Sequence, residues 1–169
     1  MNINKEIEEM KAALASLEAK ALLNTFKPES FWFQGFEYKT VQSPTTGRIW
    51  LDRNLGASEV DEYGGYFMFG EALCPDGYEV PSDKEWCAEL PNHRKNDVDW
   101  MNLPLAGNRN TNGSFYRRGV NTTLWSSTRT CGNAYRRLLS TSLATVHRDT
   151  LLKASGFSVR LIKNEVSDA

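Results

Sequence analysis

Arginine, asparagine and tyrosine side chains are concentrated between residues 108 and 137 of the chain. Tyrosine offers a large contact area at little cost in conformational entropy, and arginine pairs with carboxylates or phosphates through parallel hydrogen bonds. These residue types favour ligand recognition, with solvated loops and pairing inside the domain as the alternative. The candidate binding residues are Asn108, Arg109, Asn110, Asn112, Tyr116, Arg117, Arg118, Arg129, Tyr135, Arg136 and Arg137.

Residues spaced for catalysis or metal binding are missing from the sequence. The two histidines, His93 in a polar loop and His147 in a predicted strand, fit ordinary surface or core positions. Cys74 and Cys87 are too far apart for a zinc knuckle, and Cys131 stands alone. No phosphate-binding glycine loop or nucleophile elbow is present. The sequence therefore predicts no enzyme, no metal and no cofactor.

Charge is distributed unevenly along the chain, although the net charge is only −1. Residues 52–101 contain twelve acidic and four basic residues, whereas residues 107–160 contain nine basic residues and one acidic residue. The two halves could neutralise each other within one domain. The other interpretation is a basic surface for an acidic ligand or partner.

The cysteine count and the N-terminal residues indicate where the chain is made. Three cysteines are an odd number, which favours reduced, buried thiols over a disulfide framework. The first residues are charged and lack the apolar region of a signal peptide. No stretch approaches the ~20 apolar residues of a membrane span, so no membrane insertion is expected. We expect assembly in a cytoplasm.

Residues 1–24 are predicted to form a coiled coil that joins several copies of the chain. Apolar residues recur there at alternating spacings of four and three, which is the heptad pattern. The a positions are Ile7, Leu14 and Ala21, and the d positions are Ile3, Met10 and Leu17. The alternative is a single amphipathic helix that lies on its own domain. The residues do not fix dimer or trimer, and we predict a trimer.

Residues 25–36 are predicted to be a linker, because Lys27, Pro28 and Glu29 end the helix there. Four aromatic residues follow within six positions: Phe31, Trp32, Phe33 and Phe36. Rings at this density are expected to be shielded from water. They either pack at a neck between stalk and head or belong to the core face of the first strand.

The stretch from Cys74 to Trp86 combines a turn, a strand and a helix start. Pro75 and Gly77 favour a turn, and the next residues are extended. Ser82 and Glu85 form a predicted capping box, and Trp86 then faces the core from a short helix.

Four segments of the sequence carry a resemblance to a known family. They are residues 46–55 (TGRIWLDRNL), 74–86 (CPDGYEVPSDKEW), 124–128 (LWSST) and 156–163 (GFSVRLIK). In this order they resemble motifs of the Fibrobacter succinogenes major paralogous domain, which has a C-type-lectin-like fold. The resemblance covers residues 37–163. Leu161 stands where the family usually has a cysteine, so the disulfide from that position to Cys74 is not available.

The resemblance implies an α+β, C-type-lectin-like head at residues 37–163, followed by a polar tail at residues 164–169. We predict a hairpin of residues 38–41 and 48–52, a tight turn at Asn112–Gly113, and further strands at 124–128, 134–139, 144–148 and 157–162 of one antiparallel sheet. The calcium-dependent sugar motifs of C-type lectins are only approximated by residues 89–92 and 97–100, so no calcium site is expected.

These features together predict a non-enzymatic structural protein of a bacteriophage virion. It would be a head or tail fibre or a capsid decoration protein, anchored to capsid or tail proteins by its N-terminal end. The head would bind a host surface, with a glycan as a possible ligand and no nucleic-acid partner. One alternative is a bacterial surface or secreted adhesion module of the same family. Another is an enzyme of the formylglycine-generating type, which would need paired reactive cysteines.

Overall fold

The computed structural model describes residues 3–23 and 25–165, which form an N-terminal helix and a head of mixed helix and antiparallel sheet. The α+β class is therefore confirmed. Residues 1, 2 and 24 of the predicted coil and residues 166–169 of the predicted tail lie outside the described residues. The helical segments are α1 (Ile3–Leu23), α2 (Asp83–Glu89) and a kinked 3₁₀ segment (Lys95–Met101). The strands are β1 (Ser30–Phe33), β2 (Phe36–Gln42), β3 (Ile49–Leu51), β4 (Tyr78–Glu79), β5 (Asn108–Arg109), β6 (Phe115–Tyr116), β7 (Asn121–Arg129), β8 (Asn133–Ser140), β9 (His147–Leu152) and β10 (Ile162–Lys163).

Helix α1 is uninterrupted because its residues are mostly strong helix formers, without glycine or proline. Ion pairs at helical spacing support it, Lys5 with Glu9 at 3.7 Å and Lys11 with Glu8 at 2.9 Å. Exposed pairs of this kind contribute only about 0.3 kcal/mol each, so they do not make the helix stable alone. Within residues 3–23 and 25–165, no helix has the length and apolar character that crossing a bilayer requires.

The larger, curled sheet has five strands in the order β1-β2-β3-β10-β4, and every neighbouring pair is antiparallel. The predicted hairpin is confirmed, because β2 pairs with β3 and places Thr40 opposite Leu51. Strand β10 enters the sheet between β3 and β4. The beginning and the end of the head therefore meet in one sheet.

The aromatic segment predicted as a neck contains the first strand of this sheet. Strand β1 pairs with β2, and alternate side chains of a strand point to opposite faces. Phe31, Phe33 and Phe36 accordingly pack against the head core, whereas Trp32 is 72% exposed. The strand pairing of the head begins at Ser30, inside the segment predicted as a linker.

Helix α2 begins where the sequence indicates. The Glu85 amide donates to Ser82 Oγ at 3.2 Å, and the Ser82 amide donates to Glu85 Oε2 at 2.7 Å, so the predicted capping box is confirmed. The cap orients a helix of seven residues so that Trp86 is fully buried. It also places Asp83 at the first helical position, where it faces the second half of the head.

The second half of the head contains two further sheets instead of the single sheet predicted, the hairpin β5–β6 and the three-stranded sheet β7-β8-β9. The strands predicted at 124–128 and 134–139 are confirmed within β7 and β8, whereas β9 starts later than predicted. The strand predicted at 157–162 was wrong for most of its length. Phe157 bridges to Phe67 and Ser158 to Leu124, and only Ile162 lies in β10. Residues 157–162 pass from one sheet to another, so they do not form a continuous hydrogen-bonded ladder with a single strand.

The four segments that carry the family resemblance contribute buried aromatic residues to two adjoining clusters of the core. The ring centroids of Trp50 and Trp86 lie 5.1 Å apart, and Trp86 Nε1 donates to the carbonyl of Trp125 at 3.2 Å. The ring of Trp125 lies 4.2 Å from that of Phe157. Each of these four residues comes from a different segment, and all four are buried.

The three cysteines are free thiols. Cys74 and Cys87 are half-buried, and burial raises the pKa of the Cys74 thiol. Cys131 is exposed, so the prediction of buried thiols is wrong for this residue.

Candidate functional site

Seven of the predicted binding residues lie on or beside one hairpin, β5–β6. Strand β5 pairs with β6 so that Asn108 lies opposite Tyr116 and Arg109 opposite Phe115. The connecting turn contains Gly113 at φ +86°, a backbone conformation that favours glycine. The Asn112 side chain accepts hydrogen bonds from the amide and the hydroxyl of Ser114, at 3.0 and 2.6 Å. The predicted Asn-Gly turn is thus confirmed. The seven residues are Asn108, Arg109, Asn110, Asn112, Tyr116, Arg117 and Arg118.

Two close backbone contacts fix the base of this hairpin to the head. Gly107 donates to the carbonyl of Asn121 at 2.7 Å, and a Cβ at this glycine would overlap the backbone between Tyr116 and Arg118. Arg109 and Gly156 exchange two backbone hydrogen bonds of 2.8 Å. The hairpin therefore presents its side chains from a rigid base.

An aromatic and arginine cluster covers one side of the hairpin. The Arg118 guanidinium lies 3.3 Å from the ring centroid of Phe115, and its Nε donates to the Tyr66 hydroxyl at 3.0 Å. The Tyr66 ring lies 5.0 Å from that of Phe115, and its hydroxyl donates to the Ala106 carbonyl at 2.6 Å. Burial raises the pKa of Tyr66, although the contact with Arg118 opposes this. Arg118 is consequently held in one orientation over the ring.

The sequence did not single out the aromatic part of this cluster. Phe115 stands between predicted binding residues, but Tyr63 and Tyr66 come from a loop some fifty residues earlier. Phe115 is 49% and Tyr116 50% exposed. The sequence does show a dense run of aromatic residues at 63–69, but its position beside the hairpin depends on tertiary packing.

The remaining predicted binding residues lie on the three-stranded sheet and are mostly engaged within the head. Arg136 pairs with Asp149 through two bonds of 2.7 and 3.0 Å. The Arg148 guanidinium lies 4.2 Å from the ring centroid of Tyr135. Arg129 is exposed at the end of β7. Arg137, also named from the sequence, is buried.

A buried ion-pair network accounts for Arg137. Its Nη1 lies 2.7 Å from Asp83 Oδ1, and Arg148 reaches the same carboxylate at 2.7 Å. Burial alone would raise the pKa of Asp83, but the hydrogen bonds from Arg148 and Arg137 outweigh it and lower the pKa. This network joins α2 to β8 and β9, so Arg137 stabilises the fold and is not free to bind a ligand.

The predicted oligomerisation residues form one exposed apolar stripe along α1. Their exposed fractions run from 43% for Ile7 to 72% for Met10, and Ala21 is exposed as well. Ile7, Met10, Leu14 and Leu17 line an open apolar groove on this helix. The stripe consists of Ile3, Ile7, Met10, Leu14, Leu17 and Ala21.

Two of the acidic groups that approximate lectin calcium motifs, Glu89 and Asp97, are engaged in hydrogen bonds. The Glu89 carboxylate is buried and accepts hydrogen bonds from Ser43, Thr46 and Trp50. Burial raises the pKa of Glu89 despite these bonds. Asp97 accepts bonds from the amides of Asn92 and Arg94. In the part of the chain that the structure describes, no three His, Cys, Asp or Glu side chains cluster as metal ligands.

The chain matches none of the protein-family models, curated proteins or solved structures with which it was compared. The family resemblance therefore rests on the four sequence segments alone.

Proposed function

We propose that the chain is a non-enzymatic structural protein of a bacteriophage virion, a head or tail fibre or a capsid decoration protein. In this proposal α1 assembles several copies, and a C-type-lectin-like head binds the host surface. The N-terminal end attaches to capsid or tail proteins, and assembly takes place in the host cytoplasm. The observation that carries the proposal is the exposed apolar stripe of α1.

The apolar stripe of α1 needs other copies of the chain to cover it. Its members follow the narrow a and d positions of three short heptads, and the described side chains of α1 are exposed in the single chain. An isolated helix of this length is marginal in water, so burial between copies supplies the stability that it lacks. Leu at one a position and Ile at a d position do not select two strands, and we propose a parallel trimer.

The core supports the lectin-like part of the proposal. Trp50 packs on Trp86 and Trp125 packs on Phe157, and a hydrogen bond from the Trp86 indole to the Trp125 carbonyl joins the two pairs, although each residue stands in a separate resembling segment. The fold then serves as a platform, and function depends on the surface that it presents.

The hairpin β5–β6 is the part of that surface best suited to recognition. It combines exposed rings, three arginines and several amides on a rigid base, which are the groups that bind sugar rings and their substituents. We therefore place host-surface or glycan binding at this hairpin.

Sedimentation equilibrium of the full chain tests the stalk. We expect three times the monomer mass at micromolar concentration, and the monomer mass for Leu14→Asp, because a charge in the apolar seam has no partner. The matched control is Ala15→Asp, which introduces the same charge on the adjacent, outward position and should leave the trimer intact. A monomeric wild-type chain, or equal behaviour of both variants, would contradict the proposal.

Immunogold electron microscopy with antibodies against the chain tests its location. Labelling at regular positions on purified phage particles is the expected result. Labelling of the bacterial envelope, with particles unlabelled, would instead favour the bacterial surface adhesion module.

A further inference from the structure

Two arginines of hairpin β5–β6 border one aromatic ring. Arg118 lies over Phe115, and Arg109 is the cross-strand partner of the same residue. Cross-strand partners have Cβ atoms about 5 Å apart and point to the same face, so the Arg109 side chain leaves the hairpin on the face that Arg118 covers. Arg117 lies 5.2 Å from the ring centroid of Tyr116, which points to the opposite face of the strand from Phe115.

No ion pair joins these arginines to an acidic residue in the part of the chain that the structure describes. Residues 107–120 contain three arginines and no Asp or Glu. Among the residues that the structure describes, none of the three arginines has a carboxylate oxygen within 4.0 Å. Like charges placed together without a counter-charge repel one another, and an anion bound between them relieves that repulsion.

The geometry of Arg118 suits an oxyanion. Its Nε is occupied by the Tyr66 hydroxyl, and this bond fixes the plane of the guanidinium. For its two Nη atoms the described part of the chain provides no hydrogen-bond acceptor. Because the side chain is already oriented, it loses little conformational freedom when a planar carboxylate or a phosphate binds.

We infer that hairpin β5–β6 binds an anionic saccharide, a sugar ring that carries a carboxylate or a phosphate. This inference rests on the proposed role of the head in surface binding and names the ligand class. Arg118 and Arg109 bind the anion, and the exposed part of Phe115, on the same face of the hairpin, packs against the apolar face of the sugar ring. A sugar fits better than a nucleic acid, because the basic area is confined to one hairpin and does not form a continuous stripe.

Biolayer interferometry of the full chain against immobilised polymers tests the inference. Polygalacturonate supplies a carboxylate and phosphomannan a phosphate, while methyl-esterified polygalacturonate and mannan are their neutral counterparts. We expect binding to at least one anionic polymer, at least about tenfold weaker binding to its neutral counterpart, and weakening with salt. The two anionic arms distinguish carboxylate from phosphate as the natural group.

Variants locate the binding on the hairpin. Arg118→Gln and Arg109→Gln should each weaken binding at least about tenfold. The control is Lys84→Gln, which removes one exposed positive charge from α2 and should leave binding unchanged. Urea unfolding of each variant shows whether the head remains folded. If Arg118→Gln unfolds, Arg118→Lys replaces it, because lysine keeps the charge without the planar pair of donors.

The outcomes separate this inference from the proposed function. Equal binding to charged and neutral polymers, binding to neither, preferential binding to single-stranded DNA, or equal losses for Arg118→Gln and Lys84→Gln would each overturn it. Sedimentation of the same samples reports the stalk independently. If the chain is a trimer but binds no anionic polymer, only the inference on the ligand class is contradicted. If it is a monomer and binds one, the proposed stalk is contradicted and the inference on the ligand class is kept.

Discussion

Hairpin β5–β6 and the strand pair β8–β9 each carry several arginines, but the two regions differ in where the opposing carboxylates lie. In β8–β9, Arg136 forms a bidentate pair with Asp149, and Arg137 pairs with Asp83 while its side chain is only 2% exposed. In the hairpin, no arginine has a carboxylate partner among the described residues. One region uses arginine to join elements of the head, and the other leaves positive charge at the surface.

The carboxylate that decides this difference comes from far away in the sequence. Asp83 precedes Arg137 by 54 residues and Arg148 by 65. It occupies the first position of α2 because the capping box of Ser82 starts the helix there. The role of an arginine in this fold therefore depends on where another element places an acid.

The largest expected effect comes from removing that acid. Asp83→Ala leaves the positive charge of Arg137 buried without a partner, so we expect the free energy of unfolding to fall by about 3 kcal/mol. Urea denaturation followed by circular dichroism at pH 7 measures it. The control is Asp76→Ala, which removes an exposed acid from a turn and should change stability by less than about 0.5 kcal/mol. Equal losses for the two variants would show that Asp83 does not hold the two arginines in place.

Features encoded by neighbouring residues could be predicted from the sequence. The capping box of α2, the hairpin of β2 and β3, and the tight turn after Asn112 all depend on residues a few positions apart. The same holds for α1, whose heptad spacing needs no tertiary information. The seven binding candidates of the hairpin are likewise close in sequence, within residues 108–118, so the sequence alone groups them.

Features that depend on distant packing could not be predicted. Arg136 and Arg137 look like Arg117 and Arg118 in the sequence, because their acidic partners are absent from the local stretch. The sequence predicts one strand at residues 157–162, yet this segment bridges to residues of different parts of the head and only its last residue lies in β10. β1 was assigned to a linker because a proline precedes it, although its rings complete the core.

Acid should weaken the buried network selectively. The pKa of Asp83 lies below its ordinary value of 3.8, because the bonds from Arg148 and Arg137 outweigh the effect of burial. A carboxyl with a lowered folded-state pKa stabilises the protein above its unfolded-state pKa, and this contribution is lost as pH falls through the folded-state value. The difference in unfolding free energy between wild type and Asp83→Ala should therefore be full at pH 7 and shrink below about pH 4.

The difference in unfolding free energy between wild type and Asp83→Ala isolates the effect of titrating Asp83. Glu89 titrates in the opposite sense, because its raised pKa means that protonation in acid favours the folded state. Since both proteins contain Glu89, its contribution cancels. A difference that stays constant from pH 7 to about pH 2.5 would mean that Asp83 has the same pKa folded and unfolded.

A smaller effect is expected from the exposed pair of β8–β9. Arg136→Gln removes two hydrogen bonds to Asp149, which is half exposed, so we expect a loss of about 1 kcal/mol in unfolding free energy. Binding to anionic saccharide should not change, because this arginine is already neutralised. A double-mutant cycle with Asp149→Asn measures the pair energy. Weaker binding without a change in stability would place β8 within the ligand site.

The smallest effect is expected in the hairpin. Arg117 is exposed and lacks a carboxylate partner among the described residues, so Arg117→Gln should change the free energy of unfolding by less than about 0.5 kcal/mol. Gln suits the test better than Gly, because Arg117 lies at φ +54° and Gly would add a backbone effect of its own. Measured beside Arg136→Gln under the same conditions, a loss above about 1 kcal/mol would show that Arg117 is paired in the folded protein. Arg117 would then share the structural role of the β8–β9 arginines, and the free charge of the hairpin would be limited to Arg109 and Arg118.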